Sequence, residues 1–283
     1  CPSCGGQKID AKTWICEVCL ETTKKETVKL LDILTNDFGF SKSEVRVFFS
    51  GHRGYHVHVE NEVIRSLDQS ARKEIVDYVV GIGLDESFHG VKETGGTLTG
   101  PSLADGGWNG RIARGAYDLF LTASASELES WGLSKRTGES IVKRRSEILE
   151  NWKDKGPWGG VKGVGAASWK RLIGRGVELQ SPRIDTVVTT DVHRLIRLNN
   201  TLHGKTGLKK AEVSAGLIED FDPLKKAVAF EKGIVEVFVH ESPEFRVGDS
   251  RFEAFRERKV ELPTAAALFL LCKGVAELAE VTG

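Results

Sequence analysis

Four of the five cysteines fall in two tight pairs, Cys1 with Cys4 and Cys16 with Cys19, spaced C-x2-C-x11-C-x2-C. Two residues between cysteines let both sulfurs reach one tetrahedral Zn²⁺ from a single knuckle, so such a segment folds around the ion. Residues 1–23 therefore read as a zinc knuckle with Cys1, Cys4, Cys16 and Cys19 as ligands, structural because the protein fills all four positions. Unpaired core cysteines are the plain alternative. Thiol ligation implies a reducing compartment, here the cytoplasm. Cys272 stands alone in an apolar helical pattern and reads as a core thiol. No apolar run approaches the roughly 18 residues of a membrane span, and no leader pattern is present. Forty basic residues balance 40 acidic ones. That excludes a uniformly basic nucleic-acid binder but leaves room for local basic patches. The chain starts at Cys1 and has no Met, which reads as a fragment, or as a numbering that omits modified methionines.

Beyond the knuckle, residues 26–40 have apolar groups at helical spacing up to Gly39. Residues 44–49 and 55–60 alternate and are β-rich, a hairpin joined by SGHRG. Residues 67–81 read as a helix started by Asp68 or Ser70 and stopped at Gly81. Residues 95–110 are loop-like. Residues 111–180 change to helical patterns joined by glycine turns, a helical insertion. β character returns from residue 181, with candidate strands at 187–190, 195–198 and 235–240, before a last apolar helix over 264–279. The boundaries are a knuckle (1–23), a first core part (24–110), the insertion (111–180) and a second core part (181–283), in an α/β (α+β) fold.

Two segments carry chemistry. In Phe48–Val59, Gly51 and Gly54 leave backbone N–H groups open in a short turn. Ser50 adds a hydroxyl, and Arg53 a planar five-donor fork suited to phosphate. His56 and His58 share one strand face, and Tyr55, Val57 and Val59 the other. The residues fit a triphosphate held over a sheet, or an ordinary glycine hairpin with solvated side chains. In the second segment, Arg194, Arg197, Lys205, Lys209 and Lys210 give +5 over 17 residues with no acid, a local anion site. Asp185 and Asp191 precede it, and a carboxylate beside a phosphate-binding run suits Mg²⁺-dependent phosphoryl chemistry. Asp191 reads as a helix cap. The Gly204-Lys205-Thr206 string resembles the end of a Walker A loop, but Asn199 stands where its first glycine is required.

Together these segments resemble the small catalytic subunit of archaeal and eukaryotic DNA primases, closer to the archaeal members. The resemblance rests on Ser50-Gly51-His52-Arg53-Gly54-Tyr55-His56, then Arg183-Ile184-Asp185, then Arg194-Leu195-Ile196-Arg197 through Thr201-Leu202-His203-Gly204-Lys205-Thr206-Gly207. Gly107 to Ala113, the helical insertion and the knuckle fit the same order, so most of the chain is covered. The resemblance implies a mixed-sheet core with an RNA-recognition-like palm, and template-directed primer synthesis from NTPs or dNTPs on single-stranded DNA. It further implies that Ser50, Arg53, His56, Arg197 and His203 bind the nucleotide, with Thr201 a weaker candidate. Asp185 is the matching catalytic metal ligand for Mg²⁺ or Mn²⁺. A large subunit with an iron–sulfur domain is the implied partner in a heterodimer.

The family's first two catalytic acids form a D-x-D just before the zinc cysteines, and no such pair stands in these residues. Asp10 lies alone between the cysteine pairs and does not replace it. The expectation is that these residues fold but do not synthesise primers unaided. Two other readings remain. One is an end-joining repair polymerase of the same superfamily. The other is a non-enzymatic nucleic-acid adaptor, since Val161–Ile173 resembles a helix-hairpin-helix and Lys135–Arg145 is basic; a solvated basic helical face is its plain alternative.

Overall fold

In the computed structural model, residues 14–85, 89, 92–95, 97–152, 156 and 158–279 are described. Cys1, Cys4 and Asp10 lie outside them. In chain order come α1 (Glu17–Asn36), β1 (Val45–Phe49), β2 (Tyr55–Val59), α2 (Glu62–Arg65), α3 (Gln69–Val80), β3 (Lys92–Thr94) and β4 (Thr97–Thr99). Then follow α4 (Gly107–Thr122), α5 (Ala125–Ser130), α6 (Lys135–Lys143), α7 (Arg145–Glu150), α8 (Ala166–Gln180), α9 (Thr186–Thr190) and β5 (Ala211–Val213). The last are α10 (Pro223–Lys226), β6 (Ile234–Ser242), β7 (Phe245–Val247), β8 (Ser250–Phe252), β9 (Phe255–Pro263), α11 (Thr264–Lys273) and β10 (Ala276–Leu278). Among the described residues no helix is long and apolar enough to cross a membrane.

The chain divides into two compact units. One comprises Cys1–Val28, Lys42–Ile64 and Leu195–Gly283; the other comprises Lys29–Ser41 and Arg65–Arg194. The α/β class holds, but not as one mixed sheet. The first unit carries separate small sheets, ordered β2-β1-β5 and β10-β6-β9, and the pairings among the described residues are antiparallel. β1 is central and buries Val47 and Phe49 completely. Alternation works as read on the hairpin. The His58 ring lies 4.7 Å from Phe48 on one face, while Tyr55 lies 5.6 Å from Phe49 on the other.

The second unit is mostly helical. Its core stacks Trp152, Trp158 and Trp169 with Phe120; ring centroids lie 4.9 Å apart for Trp158–Trp169 and 5.5 Å for Phe120–Trp169. Helices α4 and α8 cross at Gly115 and Gly176, where a Cβ on Gly115 would come within 2.5 Å of the Gly176 carbonyl oxygen. The Gly107–Ala113 stretch is structural here. Trp108 Nε1 donates to the Tyr78 carbonyl at 2.7 Å. Arg111 Nε and Nη2 donate to both carboxylate oxygens of Asp37 at 2.7 and 2.8 Å, and Nη2 also pairs with Asp32 at 2.8 Å.

Several local expectations change. Residues 186–190 form helix α9, because Asp185 accepts the Val187 N–H at 3.2 Å and caps them; the cap outweighs the β-branched run. Residues 195–198 form no strand and are exposed. Asp191 caps no following helix: its carboxylate accepts the His193 N–H at 3.0 Å and tightens a turn. The last helix stops at Lys273, where Gly274 takes a left-handed φ of +64°. The chain beyond it pairs as β10 against β6.

Candidate functional site

The loop between β1 and β2 meets the turn that precedes β5. Ser50 N–H donates to the Gly54 carbonyl at 2.9 Å and closes the first loop. Ser50 Oγ accepts the N–H groups of His52 and Gly54 at 3.2 and 3.3 Å. Of the two amides expected to be open, that of Gly54 is therefore taken up inside the loop, and the hydroxyl proton is what Ser50 can offer a ligand. Gly51 has φ +82°, and a Cβ there would come within 2.9 Å of both His203 Cβ and the Leu208 carbonyl oxygen. Only glycine allows that approach without strain.

The second segment folds into a narrow hairpin. Asn200 N–H donates to the Lys210 carbonyl and Lys210 N–H to the Thr201 carbonyl, each at 2.9 Å. His203 N–H donates to the Leu208 carbonyl at 2.8 Å, and the Thr206 and Gly207 amides turn back onto the His203 carbonyl. Thr206 is the clasp between the two loops: its buried hydroxyl donates to the Gly51 carbonyl at 2.5 Å and accepts the Leu208 N–H at 3.2 Å. As a result the His52 and His203 rings stack, with centroids 4.8 Å apart and planes 10° from parallel.

Charge gathers at this stack. Burial, the neighbouring His203 and the cations Lys273, Arg53 and Lys205 push the His52 pKa down to about 4. Burial together with Arg197, Lys205 and Lys273 lowers that of His203. Arg197 Nη1 donates to the Leu202 carbonyl at 2.8 Å, and its own carbonyl accepts from Lys210 Nζ at 2.8 Å. Arg53 is exposed, and its carbonyl accepts the Thr23 hydroxyl of α1 at 2.6 Å. Ser50, Arg53, Arg197 and His203 thus share one neighbourhood. His56 stands one strand step away, opposite Phe48 in β2. Thr201 serves the turn, donating its hydroxyl to the Leu198 carbonyl at 2.7 Å. Sequence reading passed over His52 as a site residue, took Lys205 only as part of a basic run, and missed Lys273. The signal for His52 was its place inside the glycine loop.

At the start of α1 the Cys16 and Cys19 sulfurs lie 3.1 Å apart, with the Cys19 N–H donating to Cys16 Sγ at 3.4 Å. Their shared hydrogen bond lowers the Cys16 thiol pKa and raises that of Cys19, so in the metal-free pair Cys16 becomes a thiolate the more readily. This pair fits half of a tetrahedral sulfur site, and Cys1 and Cys4 lie outside the described residues. Asp185, in the second unit, is half exposed and lies 3.3 Å from Arg194. Among the described residues no group of three or more His, Cys, Asp or Glu could hold a metal, so Asp185 belongs to no such group there.

The two imidazoles make the site pH-sensitive. Their folded pKa values lie below the ordinary histidine value, so the unfolded chain takes up protons first. Stability of the ligand-free protein is expected to fall as pH drops from about 6.5 toward 4. An anion bound against these rings would stabilise their charged forms, so its affinity should rise over the same window. Melting curves at pH 7.5 and 5.5, with and without inorganic triphosphate, measure both; equal stabilisation by the anion at the two pH values would refute the linkage.

A sequence model of the DNA primase small subunit matches residues 7–215. The DNA primase small subunit of Methanococcoides burtonii is 38% identical over 275 residues, covering 91% of this chain and 70% of that protein. That of Methanothrix thermoacetophila is 35% identical over 283 residues, covering 92% and 71%. That of Nitrosopumilus maritimus is 29% identical over 280 residues, covering 99% and 66%.

Proposed function

The chain belongs to the DNA primase small-subunit family, and from that premise we propose that it acts as the catalytic subunit of primer synthesis in replication initiation. It transfers nucleotides from NTPs or dNTPs to a primer 3′-hydroxyl on single-stranded DNA. The observation that carries the reading is the clasp of the two loops, which sets His52 against His203 with Arg53, Arg197 and Lys205 acting on the same stack. Arg197 is held on the Leu202 carbonyl before a ligand arrives, and a cation fixed in that way stabilises a polyphosphate with little reorganisation. Arg53 supplies the fork for a phosphate, Ser50 a hydroxyl donor, and Arg197, His203 and His56 the remaining polar contacts with the nucleotide. Thr201 supports these through its turn.

In this reading Asp185 is one ligand of a catalytic Mg²⁺ or Mn²⁺, exchanging its Arg194 partner for the ion. Cys16 and Cys19, with Cys1 and Cys4, hold a structural Zn²⁺ that fixes the start of α1. The partners are a large subunit with an iron–sulfur domain and the DNA template, in the cytoplasm. Synthesis on a poly-pyrimidine template by the full-length protein tests the activity. Wild type should extend primers, and Asp185→Asn should abolish extension while leaving nucleotide binding in place. DNA binding without synthesis by the wild type would favour the adaptor reading. Metal analysis after mild chelation should find about one zinc per chain; zinc-free folded protein would remove the knuckle.

A further inference from the structure

The end of α11 reaches the same place from a part of the sequence that carries no recognisable motif. Gly207, in the His203 hairpin, has φ +67°, and a Cβ there would lie 2.6 Å from Leu268 Cγ. The Gly207 backbone also bonds the Cys272 thiol. The helix therefore packs on the hairpin through its last two turns, and the next residue is Lys273. Its ammonium lies 5.4 Å from the Phe269 ring centroid and 5.9 Å from that of Trp14. Those two rings are themselves packed edge to face at 5.5 Å. Cation–π attraction to two packed rings restrains a side chain that is otherwise among the most flexible.

We propose that Lys273 is a further phosphate-binding residue of the nucleotide site, bringing α11 into contact with the substrate. The proposal rests on the reading of the two clasped loops as that site. The like charges of Lys273, Arg53 and Lys205 act on one another, which raises the energy of the empty site, and an anion with several charges relieves it. Burial, then the charges of Arg53 and Lys205, lower the Lys273 pKa, which places it in the same electrostatic neighbourhood as the loops. Its charge also reaches both His52 and His203. The roles divide by geometry. Arg53 offers a planar, bidentate fork, whereas Lys273 is a point charge on a restrained stem, suited to a phosphate oxygen without demanding one orientation. Lys205, another cation of the group, is exposed.

The test compares the full chain with Lys273→Met, which keeps length and apolar stem, with Lys273→Arg, and with Arg53→Ala. Calorimetric titration uses ATP, inorganic triphosphate and adenosine as separate probes. Lys273→Met should weaken ATP and triphosphate by about tenfold or more and leave adenosine unchanged. Lys273→Arg should recover most of that loss. Wild-type chain carrying ¹³C-dimethylated lysines gives a readout without substitution: the Lys273 signal should move with triphosphate and not with adenosine. ATP affinity unchanged in Lys273→Met but lost in Arg53→Ala would overturn the role of Lys273 and leave the site standing. Unchanged affinity in both would overturn the site, and this inference with it.

Discussion

Asp37→Ala should cost about 3–5 kcal/mol of stability in the helical unit, because it strands a buried charge. The side chains of Arg111 and Asp37 are 2% and 3% exposed. Asp37 accepts two bonds from the guanidinium and a third from the Tyr78 hydroxyl at 3.0 Å. Removing the carboxylate leaves that hydroxyl without its acceptor and leaves the guanidinium with Asp32, whose side chain is 47% exposed. Desolvation is not offset by an exposed partner as it is by a buried bidentate one. Arg111→Met combined with Asp37→Leu should do much less damage, since both charges leave together. Urea unfolding followed by tryptophan emission reports on this unit through Trp152, Trp158 and Trp169. A midpoint unchanged in Asp37→Ala would show that water or Asp32 satisfies the guanidinium.

Arg53→Ala should weaken nucleoside triphosphate binding by roughly 1.5–3 kcal/mol, about 10- to 150-fold, with a much smaller effect on DNA binding. The loop itself should survive. The contact that ties Arg53 to α1 runs through its carbonyl, and Ser50 and Gly54 close the turn through their own groups. Arg53→Lys should fall between the two, since an ammonium keeps the charge and loses the fork. Nucleotide titrations of each variant decide it. Wild-type affinity in Arg53→Ala would return the segment to a plain glycine hairpin.

What the sequence makes readable is what neighbours along the chain determine. The β1–β2 hairpin follows from alternation and a glycine connection. The ends of α3 follow from Asp68, which accepts the Ala71 N–H, and Gly81, which takes φ +72°. Misreadings arise where a distant or competing contact wins. Thr186–Thr190 look like a strand until the Asp185 cap is counted. Leu195–Leu198 read as a candidate strand, yet Leu195 and Leu198 are 96% and 75% exposed. The loop motifs were legible as chemistry, but their clasp was not, because Thr206 and Gly51 lie 155 residues apart. Lys273 was hidden for a simpler reason. A basic residue before a C-terminal glycine is what any helix end favours, so its position gives no local sign of a second task.

The pairing of β1 with β5 also has a consequence for how the protein is made. Arg46 and Glu212, joined across that pair, are 166 residues apart. At roughly 5–20 residues per second, the ribosome takes about ten to thirty seconds to deliver the second strand after the first. During that interval the nascent hairpin exposes an unfilled strand edge with the sequence Val-Arg-Val-Phe-Phe, a template for wrong pairing. Arg46 lies near the start of β1 and, in the finished protein, holds Glu60 and Glu212 at 3.0 and 2.7 Å. Before Glu212 exists, the same guanidinium is a gatekeeper that keeps the apolar edge soluble.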